Sequence, residues 1–144
     1  MSQSADSQIA RVVASRPEVA AAWIFGSFAR GDARPDSDVD VAILLADASA
    51  TAATHHRALG ALALDLEHAL GGRRIDLAVL DDRTSPIFAH RVLAEGRLLH
   101  EADRERRIAF EWRASVRYLD FRPTWELAAR SAAEGFQRWL ERDR

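Results

Sequence analysis

Hydrophobic positions along the chain fall into two rhythms, one helical and one extended. Ile9, Val12 and Val13 recur at helical spacing within residues 6–15, and Arg16-Pro17 closes that segment. Residues 19–25 are continuously apolar and short, the pattern of a buried strand. Gly26-Ser27 interrupts them, and Phe28 to Gly31 leaves room for one helical turn. A polar loop with Pro35 leads into residues 38–45, where charged and aliphatic residues alternate before the run turns wholly aliphatic; this predicts a second strand. Residues 50–70 predict a helix with Leu59, Leu62, Ala63, Leu66 and Leu70 on one stripe and Gly71-Gly72 as its stop. Residues 74–80 predict a third strand, and residues 84–95 a helix with Pro86 in its first turn. After Gly96, residues 97–100 predict a short fourth strand at an edge.

Beyond residue 100 the composition changes. Residues 101–144 read as wholly helical, in two pieces divided near Phe121-Arg122-Pro123. Ile108, Trp112, Ser115, Val116 and Leu119 share one face. Trp125, Ala129, Ala132, Phe136 and Trp139 share another. The order predicts an α/β domain: a small mixed sheet flanked by helices, with a C-terminal helical hairpin. Residues 1–100 are expected to form the core, and 101–144 a helical extension packed on the same domain.

The 144 residues are one domain's worth and can bury a core without staples. There is no cysteine, which excludes disulfides, thiolate metal sites and a cysteine nucleophile. Residues 1–10 lack a basic region followed by an apolar run, and no apolar stretch approaches the roughly 20 residues of a membrane helix. A cytoplasmic protein with no membrane partner is the expectation. The net charge of −2 argues against nucleic acid as the main partner. All 20 basic residues are arginine, which reads as a bias of genome composition.

The chemistry concentrates in Gly26-Ser27-Phe28-Ala29-Arg30-Gly31, in Asp38-Val39-Asp40 and in Asp76. Side chains alternate along a strand, so Asp38 and Asp40 point the same way. Two such carboxylates repel unless a cation lies between them, and Mg²⁺ favours one or two carboxylates plus substrate phosphates. Asp76 occupies the same place at the start of its own aliphatic run. If the two strands are neighbours, three carboxylates meet, enough for two metals about 3.5–4 Å apart. A glycine at a strand end lets the backbone approach a phosphate, and the serine hydroxyl with the following N–H groups can hold an anion. Taken singly, each piece has a plainer meaning. Gly-Ser is commonly a turn, Asp-x-Asp a solvated strand end, and Arg30 a solvated helix residue. The combination is far more specific.

Gly26 to Gly31 followed by Ser37-Asp38-Val39-Asp40 resembles the signature of the DNA polymerase β-like nucleotidyltransferases, and most closely the minimal, MntA-type antitoxins. The specific part of the likeness spans about residues 19–80. Asp76 falls where that family has its third carboxylate, and nothing departs at the catalytic positions. The resemblance implies that Gly26 and Ser27, with Arg30, bind the nucleotide, the first two at its β- and γ-phosphates. It implies that Asp38 and Asp40 ligate two Mg²⁺ ions, and that Asp76 ligates the ion nearest the acceptor and helps deprotonate its hydroxyl. It further implies AMP transfer from ATP to a tyrosine of a cognate HEPN-type (HepT-like) RNase toxin, which silences the toxin.

Two other functions fit the same residues. One is a non-catalytic antitoxin that caps its toxin. The other is a small-molecule nucleotidyltransferase of the aminoglycoside kind, disfavoured by the short tail. His55-His56 diverge on a helix and read as surface, His68, His90 and His100 lack ligand spacing, and Arg104, Arg106 and Arg107 read as a solvated helix start. The tail aromatics Phe110, Trp112, Tyr118, Phe121, Trp125, Phe136 and Trp139 are mostly expected to bury their helices against the sheet, with a remainder left to dock a partner.

Overall fold

A computed structural model describes residues 4–142. Its elements in chain order are α1 (Ala5–Ala14), β1 (Val19–Phe25), α2 (Gly26–Arg30), β2 (Val39–Leu45), α3 (His56–Ala69), β3 (Ile75–Leu80), α4 (Pro86–Glu95), β4 (Arg97–Glu101) and α5 (Arg104–Arg142). The strands form one mixed sheet in the order β3-β2-β1-β4. β1 runs antiparallel to both β2 and β4, while β2 and β3 run parallel. The expected edge position of β4 is the observed one.

Alternation within β2 sorts the core into two layers. Val39, Val41, Ile43 and Leu45 face α1 and α3, where Ile9, Val13, Leu62 and Leu66 close over them. Ala42 and Leu44 face the other way, toward Trp23, Phe25, Ala89 and Val92, with Phe110 and Ala114 of α5. Because helices cover both faces, β1 and β2 are almost entirely buried; β1 reads as an unbroken apolar run and β2 as one broken only by Asp40.

Local chemistry sets the element ends. α3 begins six residues later than expected because Thr51 and Thr54 bond each other's backbone N–H groups, an alternative to the helix ladder. It stops at Gly71 and Gly72, both at positive φ. The Gly72 N–H donates to Glu67 O at 2.8 Å and the Gly71 N–H to His68 O at 3.2 Å, a Schellman closure. Asp103 caps α5 by accepting the Arg106 N–H at 2.9 Å.

The C-terminal hairpin is not formed. Residues 104–142 are one helix that carries Pro123 within it. The segment around Pro123 offers no glycine for a turn. A mid-helix proline removes one hydrogen bond without reversing the chain. The extension therefore packs only along its first half. Phe110 and Ala114 are core residues and Tyr118 stacks on His90 of α4, with ring centroids 3.7 Å apart. From Leu119 to Trp139 nearly every side chain is exposed. Trp125, Leu127, Phe136 and Trp139 each leave about half or more of their surface in solvent. The expectation that most tail aromatics are buried therefore holds for Phe110 and in part for Tyr118, but not for Trp112, Phe121, Trp125, Phe136 or Trp139. No helix among the described residues is long and apolar enough to cross a membrane.

Candidate active site

Topology brings the end of β1 and the starts of β2 and β3 to one margin of the sheet. Phe25 pairs with Asp40 across the antiparallel β1–β2 ladder, and Asp40 pairs with Asp76 across the parallel β2–β3 ladder. In-register residues of neighbouring strands share a face about 5 Å apart, so Asp40 and Asp76 project together. Both lie on the side that α4 and α5 cover, in step with Ala42 and Ala78. Asp38 sits one residue before β2, and by alternation projects to that same side. Pairing continues up to it, since the Val39 N–H donates to Arg74 O at 2.9 Å.

Gly26 follows directly from β1 and is buried. Its φ of +66° is one that glycine adopts freely, and a Cβ there would collide with Asp40 Oδ2. The glycine is therefore required twice, by the turn and by the carboxylate against it. Ser27 is the second residue of the five-residue helix α2, whose C-terminal carbonyls are held from outside. Arg97 Nη1 donates to Ala29 O at 2.8 Å. Arg73 lies over the Phe28 ring at 5.3 Å.

Charge is balanced around Asp40 rather than satisfied. Partial burial, first, and repulsion from Asp76, second, hold its carboxyl above the ordinary carboxylate range. Arg91 pulls the other way, Asp38 adds further repulsion, and Arg30 opposes it. Arg30 is half exposed, 3.3 Å from Asp32 and 3.8 Å from Glu95. It thus lies within electrostatic reach of the acids while tied to carboxylates of its own. Arg74 approaches Asp38 at 3.9 Å. Beside Asp38 a cleft of about 250 Å³ is lined by residues 35–38 and 71–74.

The donor set is hard oxygen throughout, matched to a divalent ion such as Mg²⁺. The repulsion that raises Asp40 is what a cation would relieve. Among the described residues, no three acidic or histidine side chains already stand close enough together to hold a metal. The backbone register is in place, while the carboxylates are not drawn in. Two arginines at this margin were not singled out from the sequence. Arg91 reads there as one polar residue on an amphipathic helix. Arg97 looks like a solvated edge-strand residue. The only available signal for Arg91 was its place on a helix whose Ala89 and Val92 pack over the acid-bearing face.

A family model described as polymerase beta, nucleotidyltransferase, matches residues 7–105. Comparison with curated proteins gives no match. Among solved structures, a toxin-antitoxin with AMP-PNP is 21% identical, with 89% of this chain and 98% of that one covered at a TM-score of 0.70. A MntA-HepT toxin-antitoxin is 20% identical, covering 90% and 97% at 0.64. A tri-AMPylated Shewanella oneidensis HEPN toxin in complex with MNT antitoxin is 19% identical, covering 90% and 96% at 0.64. At these identities the likeness establishes the shared fold.

Proposed function

Because the chain belongs to the polymerase beta nucleotidyltransferase family, we propose that it transfers AMP from ATP to a hydroxyl of a partner protein, a HEPN-type toxin, and thereby neutralises it. The observation that carries this reading is the register that sets Asp40 beside Asp76 and against Gly26 at one sheet margin. The likeness to toxin-antitoxin complexes, one with AMP-PNP and one with an AMP-modified toxin, supports ATP and a HEPN partner.

Asp38 and Asp40 would hold two Mg²⁺ ions, with Asp76 on the one nearer the acceptor. When bound, such ions supply Lewis-acid polarisation of the α-phosphate and a more acidic acceptor hydroxyl. Gly26 lets the backbone come close to the β- and γ-phosphates, and Ser27 donates its hydroxyl to them. Arg30 and Arg91 set the positive field around the acids. The acceptor oxygen bonds to the α-phosphorus as the bond to the pyrophosphate oxygen breaks, and Asp76, exposed at its strand start, takes the hydroxyl proton. Most of the acceleration would come from positioning and preorganised charge.

The exposed half of α5 serves the partner in this reading. A monomer rarely leaves so many large apolar side chains in solvent, and tryptophans are favoured anchors in interfaces. That surface also suits the second reading, in which the protein neutralises its toxin by capping alone. One experiment separates them. Wild type should label the toxin from α-labelled ATP only with Mg²⁺, and Asp38→Asn or Asp40→Asn should cut labelling by at least about 100-fold. Full labelling by either variant defeats the enzymatic reading. Rescue from toxicity by the triple Asp38, Asp40, Asp76→Asn variant at equal expression establishes capping instead.

A further inference from the structure

A five-residue helix cannot hold itself in place, since a helix this short has too few internal hydrogen bonds to offset the cost of nucleating it. Yet α2 carries Gly26 and Ser27, whose attitude to Asp40 decides where a triphosphate would lie. Its local capping bonds run from the Gly31 N–H and, at 3.1 Å, the Asp32 N–H, both to Ser27 O. The next two carbonyls, of Phe28 and Ala29, are taken by a residue distant in sequence. Arg97, the first residue of β4, directs Nη1 at Ala29 O (2.8 Å) and Phe28 O (3.5 Å). The remaining nitrogens of the same guanidinium are fixed by Asp6 of α1. Nε donates to Asp6 Oδ2 at 3.1 Å, and Nη2 to Oδ1 at 2.9 Å and Oδ2 at 2.8 Å. The fork is thus orientated by a bidentate carboxylate, and its free end grips the C-terminus of the Gly-Ser turn. A cation is also the charge that a helix C-terminus favours.

We infer that Arg97 is a positioning residue for nucleotide binding: it holds the Gly26–Ser27 turn at a fixed attitude to Asp40, and Asp6 acts through it. The inference rests on the nucleotidyl-transfer reading. Neither side chain lines the acid cluster. Arg97 pairs in register with Ile24, two residues before Gly26, so the clamp is anchored on the sheet and not on the loop it restrains. Both residues are part-exposed, so removing the pair subtracts little from the core.

The test is the affinity of the full chain for ATP with Mg²⁺, by calorimetry, measured alongside Tm of the nucleotide-free protein. Arg97→Ala should weaken binding about tenfold, the scale of one charge-assisted hydrogen bond, with Tm within a few degrees of the parent. Arg97→Lys should recover part of the loss, since an ammonium reaches a carbonyl but cannot also take the bidentate grip. Asp6→Asn should fall between. Because Asp6 works through Arg97, the Asp6→Asn, Arg97→Ala double variant should bind no worse than Arg97→Ala alone. Binding by Arg97→Ala within twofold of the parent overturns the inference, as does a fall in Tm with affinity unchanged, or additive losses in the double variant. A folded parent that binds no ATP overturns the nucleotidyl-transfer reading itself, and the clamp with it.

Discussion

At Asp40 a carboxylate is held where its own charge is resisted. Burial and the neighbouring Asp76 raise its pKa in the folded state above the unfolded value. The folded chain therefore holds that proton more tightly than the unfolded chain does, and ionising Asp40 costs stability above the folded pKa. That cost is relieved as the pH falls through the folded pKa toward the unfolded one. Asp40→Asn, nearly isosteric and uncharged, should raise Tm of the metal-free protein at pH 8 by about 2 °C, and the advantage should shrink in acid. A thermal melt showing a pH-independent difference, or a loss, would refute this. Gly26 makes the opposite demand. Gly26→Ala places a methyl at φ +66° against Asp40 Oδ2, so it should lower stability by about 1–3 kcal/mol. Urea denaturation measures it, and a neutral result would mean that the turn is laxer than its geometry.

Among the elements, α5 divides into a packed half and an exposed half. Phe110, Ala114 and Tyr118 bind the first half to the sheet and to α4. Phe121, Trp125, Phe136 and Trp139 continue the helix as exposed side chains, with Phe136 and Trp139 stacked on each other at 5.9 Å. Mutations in the outer half should therefore leave the fold alone and strike binding. Trp125→Ala with Trp139→Ala should leave Tm within about 2 °C, as expected of exposed positions. The same pair should weaken the toxin complex at least tenfold, the usual effect of losing an aromatic anchor. Calorimetric titration against the toxin decides it, and unchanged affinity would remove α5 from the interface. The expected hairpin failed for a related reason. Apolar spacing shows which residues share a face but not what covers that face, and here the described residues leave the outer half of α5 exposed.

For the whole molecule, the acids at the sheet margin are a local instability that a bound cation would relieve. Three acidic residues at the starts of two parallel strands share one margin only because β2 and β3 are neighbours and in step. Any ion that binds the folded state alone must stabilise it, by about 2.7 kcal/mol at a concentration 100 times its Kd. Saturating Mg²⁺ should raise Tm of the parent by several degrees and that of Asp40→Asn by much less. Differential scanning calorimetry with and without chelator checks this, and an equal rise in both proteins would place the ion elsewhere.

Strand and helix identities were legible in the sequence because they are local. Val19–Phe25 and Val39–Leu45 are short, mostly apolar runs, the length and composition of buried strands, and Gly71-Gly72 ends α3 by backbone freedom. The candidate acids were legible too, since the i, i+2 spacing of Asp38 and Asp40 fixes their common side once the stretch is extended. Tertiary structure decided the rest. The pairing of Asp40 with Asp76, the approach of Arg91 from α4 and the reach of Arg97 from β4 to α2 all join residues far apart in the chain. Periodicity carries no information about such pairs, because it records which side of an element is apolar and not which element lies opposite. The bare outer half of α5 follows from the same physics: sequence marks a surface as adhesive, and only packing shows whether the chain itself has covered it.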